Sequence, residues 1–283
     1  MSAPTGDVDA HELRDLALAV AREGAALVRE RRSRPVEVAA TKTSDIDVVT
    51  EADRACEALV RERLLAARPG DRVLGEEGGT GADGAEREGA DGVRWIVDPI
   101  DGTVNFYYDL GLYAVCVAAE LTRDGRSEVV AGVVLDASSG VEYDAVLGGG
   151  ARRDGEPLAV RGPAPLAERL INTGFSYDRV VRAKQAEAWV RLLPLVRDLR
   201  RRGSAALDIC LVADGRADGY VEEGVNLWDH AAAGLVAREA GATTRLLRGV
   251  GGLDLMVCAP SHGVDELLEA VEWAGFVAGT DAE

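Results

Sequence analysis

Histidine and paired cysteine are scarce in this chain of 283 residues. It holds three histidines and four cysteines, and the cysteines form no CxxC pair and no cluster with histidine. Structural zinc sites need such clusters, and secreted disulfide frameworks need cysteines in even, regularly spaced sets. The sequence therefore indicates neither a zinc site nor a disulfide framework, and we expect buried, reduced cysteines in a cytoplasmic protein. The cysteines are Cys56, Cys116, Cys210 and Cys258.

Long apolar segments and an excess of positive charge are also absent. No apolar run approaches the ~20 residues that a membrane span needs. The N-terminus has no basic segment leading into an apolar one, as a secretory signal would have. Lysine and arginine number 32 against 49 aspartates and glutamates, which gives a net charge of -17. Because nucleic acids and anionic membranes attract basic surfaces, we expect neither as a partner.

Several common catalytic motifs are missing as well. The chain has no GxSxG turn, no GxxxxGK[S/T] loop and no HExxH helix, which argues against serine-hydrolase, P-loop and zinc-protease sites. The segment DPIDGT places Asp98 and Asp101 three residues apart. Haloacid-dehalogenase phosphatases carry their two acids two residues apart on one extended chain. An aspartyl-phosphate intermediate is therefore not expected.

What the chain does contain is a succession of helical and strand-like patterns. Two helices come first, then apolar runs between Gly/Asp turns that predict an antiparallel meander over 112–160, and then alternating helices and strands. This order predicts a mixed α/β fold of layered helices and sheets. We expect a disordered segment 1–10, an N-terminal half over 11–160, a C-terminal half over 161–275 and a tail over 276–283. Helices are expected over 11–32, 51–67, 184–199, 204–213, 228–240 and 265–274. Strands are expected over 169–176 and 217–224, and a buried strand is expected to begin at residue 93.

Acidic residues stand at predicted strand ends and at a predicted helix start. Glu76 and Glu77 follow a short strand, Asp98 and Asp101 straddle the turn after a buried strand, and Asp229 begins an Ala-rich helix. Such positions are where α/β folds assemble their sites. Carboxylates gathered there repel one another unless cations are bound. Oxygen ligands without Cys or His favour Mg²⁺ or Mn²⁺ over zinc.

Each acid also has a plainer interpretation. Asp98 and Asp101 are common turn formers, although an acid that ends a buried apolar strand is costly without a partner. Asp53 follows Thr50 by three residues, which is the spacing of a capping box. An acid in the first turn of a helix, such as Asp229, is favoured by the helix dipole. Glu77 and Lys42 have ordinary readings as solvated surface charges, and residues 79–92 read as a surface loop or flap.

Five ordered motifs resemble those of the inositol monophosphatase family of metal-dependent, lithium-sensitive phosphatases. The resemblance is collinear from about residue 12 to 275. It implies a layered αβαβα sandwich of the inositol monophosphatase and sugar phosphatase type, and a homodimer. The motifs are DVVTEAD at 47–53, GEEGG at 75–79, WIVDPIDGTVNF at 95–106, RRGSAALDICLVADGRADGY at 201–220 and NLWDHAAAGLVAREAGA at 226–242.

The resemblance implies a metal site built from matched acids. Glu76, Asp98 and the carbonyl of Ile100 would hold one Mg²⁺. Asp98, Asp101 and Asp229 would hold a second, and Glu76 would also reach a weaker third ion. We thus expect two to three Mg²⁺ ions, with Mn²⁺ as an alternative and Ca²⁺ or Li⁺ as inhibitors. Because bound metal reverses the sign of an acidic pocket, the net charge of -17 is compatible with a phosphate substrate.

The resemblance also implies catalytic and substrate-binding roles. Glu76, Thr103 and Asp53 would be catalytic, the last two by orienting and activating a metal-bound water. The amides of Gly102 and Thr103 would receive the phosphate. The substrate positions implied are Gly203, Ser204, Ala205, Glu222 and Ser176, while Glu77 would support the loop of Glu76 and Lys42 matches a lysine upstream of the Val-Thr segment.

The expected activity is Mg²⁺-dependent hydrolysis of inositol 1-phosphate or a similar small polyol phosphate. Relatives handle histidinol phosphate, fructose 1,6-bisphosphate and 3′-phosphoadenosine 5′-phosphate, so the same chemistry on one of these is the alternative. Glu222 and the segment RRGSAALD favour inositol phosphate. A non-catalytic, metal-binding regulatory protein on the same scaffold is the remote alternative.

Overall fold

The computed structural model describes residues 8–34, 36, 38–41, 48–78 and 91–278. Lys42 and residues 79–90 of the predicted loop lie outside the described residues. The same holds for residues 1–7 of the predicted N-terminal segment and residues 279–283 of the predicted tail.

The described residues form seven α-helices, two short 3₁₀ turns and three sheets. The helices are α1 Ala10–Arg32, α2 Glu51–Ala67, α3 Thr103–Tyr108, α4 Arg179–Leu192, α5 Ala205–Ala213, α6 Leu227–Glu239 and α7 Val264–Ala274. The strands are β1 Val38–Thr41, β2 Val48–Thr50, β3 Arg72–Gly75, β4 Gly92–Asp101, β5 Ala114–Arg123, β6 Arg126–Asp136, β7 Glu142–Val146, β8 Gly150–Arg153, β9 Glu156–Pro157, β10 Leu170–Thr173, β11 Asp198–Arg200, β12 Gly219–Glu223, β13 Ala242–Arg248 and β14 Asp254–Pro260.

Two of the sheets are large and lie in separate layers. The first has the order β3-β4-β5-β6-β7-β8-β9 and is antiparallel except for the β3–β4 pair. The second has the order β11-β10-β12-β14-β13 and mixes parallel with antiparallel pairs. β1 and β2 form a small sheet of their own. The boundary at residue 160, which stays a prediction, lies between β9 and β10 in the segment that joins the two large sheets.

Helices cover both faces of each large sheet. Apolar residues of α1 and α2 pack against one face of the seven-stranded sheet. α5 and α6 lie in the middle and share a core with both sheets, and α4 and α7 pack on the outer face of the five-stranded sheet. This arrangement is the αβαβα sandwich that the resemblance implies, and the mixed α/β fold class is confirmed.

Strand β4 is apolar without interruption from Trp95 to Val97, where it is buried on both faces. Trp95 and Val97 face α1 and α2, whereas Ile96 belongs to the middle core. A strand buried on both faces carries apolar residues at every position rather than at alternate ones. The run ends in a register shift between Asp98 and Asp101, so the chain leaves the ladder where its acidic residues begin.

Several boundaries differ from those expected. Helix α1 begins at Ala10 and is capped by Asp9, so the described part of the predicted disordered segment is ordered. The helix expected over 184–199 instead covers Arg179–Leu192, because Pro194 follows in a 3₁₀ turn and 198–200 pair as β11. Phe276, expected in the tail, is buried and packs edge-on against Trp189.

Two further features concern the cysteines and the helices. All four cysteines are buried and free of disulfide bonds, as expected from their spacing. None of the helices in the described ranges is both long enough and apolar enough to cross a membrane.

Candidate active site

Four carboxylates from three separate stretches of the chain meet at the carboxyl end of β4. Asp98 and Asp101 lie at the end of that strand, and both are buried. Asp98 accepts a hydrogen bond from the amide of Ile100 at 3.1 Å. Glu76 lies just after β3, the strand parallel to β4, and its amide donates to the carbonyl of Val97 at 3.2 Å.

The charges of these groups act on one another. Burial raises the pKa of Asp98 well above its usual range, and the neighbouring carboxylates of Glu76, Asp101 and Asp229 raise that pKa further. The pKa of Asp229 is also raised well above its usual range by burial, and then by Glu76 and Asp101. Charge effects of this kind act between side chains that lie near one another. The structure therefore places Glu76, Asp101 and Asp229 near Asp98.

Asp229 reaches the pocket from the first turn of α6. Its carboxylate accepts the amide hydrogen of Asn226, and the two residues form a capping box. A first-turn acid is favoured by the dipole of the helix. The capping interpretation and the pocket interpretation thus hold for the same side chain.

Asp101 links β4 to the start of α5. Its carboxylate accepts hydrogen bonds from the hydroxyl of Ser204, from the amide of Ala205 at 3.1 Å and from the amide of Ala206 at 2.8 Å. Burial raises the pKa of Asp101 to about 6, and these hydrogen bonds oppose the rise. The predicted substrate segment Gly203–Ser204–Ala205 therefore lies against the carboxylate cluster.

The donor set fits hard divalent cations. Only oxygen atoms are offered, and buried carboxylates that raise one another's pKa are stabilised when a cation offsets their charge. In the described ranges, no group of three or more His, Cys, Asp or Glu side chains is arranged to hold a metal ion. Mg²⁺ in proteins takes one or two carboxylates and keeps several waters. The cluster therefore fits ions that take one or two carboxylates each, with backbone carbonyl and water as the other ligands.

Thr103 and Asp53 form a hydrogen-bonded pair beside the cluster. The Thr103 hydroxyl lies 3.0 Å from Asp53 Oδ1 and 3.0 Å from the carbonyl oxygen of Ile100. The other Asp53 oxygen, Oδ2, accepts from the amide and the hydroxyl of Thr50. Burial raises the pKa of Asp53, and the hydrogen bonds from Thr50 and Thr103 oppose the rise. The predicted capping box is confirmed, and the same aspartate orients Thr103.

Gly102 occupies a position that only glycine fits well. Its φ is 99°, a left-handed conformation that other residues seldom adopt. A Cβ there would lie 2.9 Å from the carbonyl oxygen of Leu112 and 3.1 Å from that of Gly203. Asn105 donates to the carbonyls of Leu112 and Arg202 at 3.0 and 2.8 Å. The turn before α3 is therefore pinned to the segment that begins α5.

Glu222 lies on β12, near the carboxylate cluster. It accepts a hydrogen bond from the Tyr220 hydroxyl at 2.8 Å, and a Cβ at Gly174 would fall 2.1 Å from its carboxylate. Burial raises the pKa of Glu222 to about 7, while Tyr220 and Arg201 oppose the rise. Its charge also contributes to the raised pKa of Asp229, so the two carboxylates border the same space.

Ser176 is less closely tied to this pocket. Its hydroxyl accepts the amide hydrogen of Asp178 at 3.1 Å, and its own amide donates to Gln185. A Cβ at Gly224, two residues beyond Glu222, would lie 3.8 Å from the Cβ of Ser176. Ser176 thus lies next to the loop after β12, and its hydroxyl takes part in a local turn.

A family model for the inositol monophosphatase family matches residues 9–270. The chain belongs to this family. An inositol-1-monophosphatase SuhB of Mycobacterium tuberculosis is 43% identical over 281 residues, covering 94% of this chain and 95% of the relative. The solved structure of Mycobacterium tuberculosis SuhB has a TM-score of 0.79 at 40% identity and covers 96% of this chain and 100% of that one. The Escherichia coli relative named Nus factor SuhB is 35% identical, covering 82% of this chain and 84% of the relative.

Membership of the inositol monophosphatase family assigns a metal-dependent phosphatase chemistry that acts on small phosphorylated substrates. The carboxylate cluster is consistent with that chemistry in kind and in place. Of the residues singled out from the sequence, Lys42 is the one that lies outside the described residues.

Three polar residues near the pocket were missed by the sequence analysis. Glu57 accepts hydrogen bonds from the amides of Glu77 and Gly78. Asn105 makes the bridge described above. Asp208 is buried near Glu222, and burial with that neighbouring charge raises its pKa to about 8. Asn105 and Asp208 lie inside the quoted motifs, and Glu57 follows Asp53 by one helical turn. Their places in the sequence were therefore the signal that could have linked them to the site.

Proposed function

We propose that this chain is a Mg²⁺-dependent phosphomonoesterase that hydrolyses inositol 1-phosphate to inositol and phosphate. The observation that supports this most is the cluster of Glu76, Asp98, Asp101 and Asp229, in which neighbouring carboxylates raise the pKa of Asp98 and that of Asp229. A dianionic phosphate would be repelled by such a pocket unless cations occupied it.

The residues that would hold the cations are those implied by the resemblance. Glu76, Asp98 and the carbonyl of Ile100 would hold one ion, Asp98, Asp101 and Asp229 a second, and Glu76 would reach a third. When bound, Mg²⁺ neutralises phosphate oxygens and lowers the pKa of water. Mn²⁺ is the alternative ion, and Ca²⁺ and Li⁺ are the expected inhibitors.

Thr103 and Asp53 would orient the attacking water and receive its proton. The Thr103 hydroxyl donates to Asp53 Oδ1, at 3.0 Å, which directs the lone pairs of its oxygen away from that carboxylate. A water that donates to Thr103 is thereby oriented, and its proton can pass to Asp53. Thr50 fixes the Asp53 carboxylate from its far side. Glu76 would contribute to this step by holding the cations that lower the pKa of the water.

The phosphate and the alcohol would bind on opposite sides of the cluster. The amides of Gly102 and Thr103 would donate to phosphate oxygens, and the left-handed turn at Gly102 lets the backbone approach closely. Glu222 would accept hydrogen bonds from substrate hydroxyls. The segment Gly203–Ser204–Ala205, held by Asp101, would line the same space, with Ser176 at its edge.

Inositol 1-phosphate is preferred over other substrates for two reasons. A carboxylate at Glu222 favours a hydroxyl-rich or aminated alcohol over a second phosphate. Relatives named inositol-1-monophosphatase reach 43% identity over nearly their whole length. Histidinol phosphate, fructose 1,6-bisphosphate and 3′-phosphoadenosine 5′-phosphate are the alternative substrates.

A non-catalytic role is the second candidate. Its support is the name of the Escherichia coli relative, Nus factor SuhB, at 35% identity. The higher identity to the mycobacterial inositol-1-monophosphatase favours catalysis, and the acids expected to bind metal are all present. A homodimer is proposed from the family resemblance and a cytoplasmic location from the reduced cysteines, and size-exclusion chromatography with light scattering checks the dimer.

A phosphate-release assay on these four substrates, with and without Mg²⁺, tests the proposed function. We expect Mg²⁺-dependent release that is fastest on inositol 1-phosphate, and its loss in D98N and D229N. The matched control is D265N, which removes an exposed first-turn acid from α7. Release that is indifferent to Mg²⁺ would contradict the mechanism. Faster release from histidinol phosphate would contradict only the substrate.

A further inference from the structure

Helix α2 carries two buried carboxylates one turn apart on the same face. Asp53 and Glu57 are four residues apart, which places their side chains one above the other. Both are buried, with relative exposures of 0% and 4%. Asp53 contacts Thr103, whereas Glu57 contacts a different part of the pocket.

Glu57 binds the loop that carries Glu76. Its Oε2 accepts the amide hydrogen of Glu77 at 2.7 Å, and its Oε1 accepts that of Gly78 at 2.8 Å. Arg61 lies farther away, with 3.4 Å between its Nη2 and Glu57 Oε1, and its Nη1 donates to the carbonyl of Val73. The two loop amides are therefore the closest hydrogen-bond partners of this carboxylate.

Two glycines make room for the carboxylate. A Cβ at Gly75 would lie 2.3 Å from Glu57 Cδ, and a Cβ at Gly78 would lie 2.7 Å from Glu57 Oε1. At separations under 3.0 Å something must shift, and here the group that would shift is the Glu57 carboxylate. Glycines therefore flank the Glu76–Glu77 pair on both sides, and a larger residue at either position would push the loop and the Glu57 carboxylate apart.

We propose that Glu57 is a positioning residue for the metal site. It fixes the backbone of residues 76–78 and so holds the carboxylate of Glu76 next to Asp98. The inference rests on the proposed function, in which Glu76 binds Mg²⁺. α2 would then set the spacing between Thr103, held through Asp53, and Glu76, held through Glu57. Residues that orient metal ligands from behind typically change metal affinity by roughly 10–100-fold when substituted.

Titration of E57Q with Mg²⁺ tests the proposal. A glutamine there keeps the shape but replaces one acceptor oxygen by a donor, so one loop amide loses its partner. We expect calorimetry to show roughly tenfold weaker Mg²⁺ binding, with kcat at saturating Mg²⁺ reduced less than threefold. The matched control, E62Q, removes an exposed glutamate of the same helix and should bind Mg²⁺ like the unmodified chain. Equal Mg²⁺ affinity in E57Q and E62Q would overturn the proposal.

Hydrogen exchange on the metal-free protein separates this proposal from the proposed function. In E57Q the amide hydrogens of Glu77 and Gly78 should exchange roughly tenfold faster, while that of Thr50 should be unchanged. If the unmodified chain binds no Mg²⁺, the proposed function fails. The exchange rates still decide whether Glu57 holds the loop, and unchanged rates would overturn that claim.

A second variant approaches the same contact from the loop. G78A would place a Cβ against Glu57, whereas its control G70A places one where nothing lies within 4 Å. We expect G78A, and not G70A, to weaken Mg²⁺ binding about as much as E57Q. Mg²⁺ binding by G78A that matches G70A would contradict the role of this contact, even if E57Q failed to fold.

Discussion

Two groups of acids in this region differ in the charges that surround them. In the cluster of Glu76, Asp98, Asp101 and Asp229, the charges that act most strongly on Asp98 are other carboxylates, and all raise its pKa. Around Glu222 and Asp208, by contrast, arginines lie close enough to oppose the rise in pKa. Arg201 opposes the rise in the pKa of Glu222, and Arg202, with its Nε 3.5 Å from Asp208 Oδ1, opposes that of Asp208.

This difference teaches what each side is suited to bind. Acids that repel one another are stabilised by added cations. Where an arginine already offsets part of the negative charge, a carboxylate needs no metal ion and can accept hydrogen bonds from neutral hydroxyls. The proposed function accordingly places the metal-dependent step at the first group and the recognition of the alcohol at Glu222, and the predictions below test that division.

Removing an acid from the cluster should have the largest effect. D98N takes away a carboxylate that both proposed ions would share. Since bound ions contribute several kcal/mol to the transition state, we expect kcat to fall on the order of 1000-fold. Steady-state kinetics on inositol 1-phosphate checks this, with D265N as the control. A fall of less than tenfold in D98N would be incompatible with a shared ligand.

Removing the hydroxyl of Thr103 should have a smaller effect on the rate. T103A leaves the acids in place but removes the group that links Asp53 to the attacking water. General base catalysis typically contributes roughly 100-fold or more, so we expect a loss of that order in kcat with Mg²⁺ affinity nearly unchanged. Calorimetry provides the Mg²⁺ affinity. A loss of Mg²⁺ binding equal to the loss of rate would place Thr103 in the metal site instead.

On the arginine side, E222Q should change substrate binding more than chemistry. A neutral amide accepts weaker hydrogen bonds than a carboxylate, and charge-assisted bonds contribute about 1.5–3 kcal/mol. We expect KM for inositol 1-phosphate to rise roughly tenfold with kcat changed severalfold at most. An unchanged KM would remove Glu222 from the substrate site.

Glu222 should also give the smallest and most specific effect, which concerns how the folding stability depends on pH. Its pKa is raised to about 7 in the folded chain from 4.5, so the folded state binds this proton more tightly than the unfolded state. Its contribution to stability is present below pH 4.5 and is lost as pH rises through 7. In EDTA, E222Q should be more stable than the unmodified chain by roughly 1–3 kcal/mol at pH 8.

Below pH 4.5 the same comparison provides its own control. Glu222 is then protonated in both folded and unfolded chains, so E222Q and the unmodified chain should unfold at nearly the same urea concentration. Urea unfolding across pH 4–8 measures both ends. A stability difference that does not change with pH would show that the carboxylate is not buried as described.

The parts of the molecule that sequence predicted well depend on local contacts. The bounds of α2 and its Thr50–Asp53 capping box follow from residues three apart. The meander of β5 to β9 follows from apolar runs between turns, and the buried run of β4 follows from burial on both faces. In each case the determining neighbours lie close in the sequence, so the pattern alone was informative.

The parts that sequence missed depend on distant contacts. β13 is the edge strand of its sheet and alternates poorly between buried and exposed positions, so its periodicity is weak. The partners of Asn105 include the carbonyl of Arg202, and those of Glu57 lie 20 and 21 residues away. Such pairs are brought together by the sheets, and no local pattern records them.

The most direct test of the cation cluster is a crystal structure of the protein soaked with Mn²⁺, with anomalous diffraction measured at the manganese edge. We expect at least two manganese peaks among the oxygens of Glu76, Asp98, Asp101 and Asp229, each at about 2.0–2.3 Å from its ligands. A map with no anomalous peak among these carboxylates, at Mn²⁺ concentrations that support phosphate release, would contradict a metal-dependent reaction at this site.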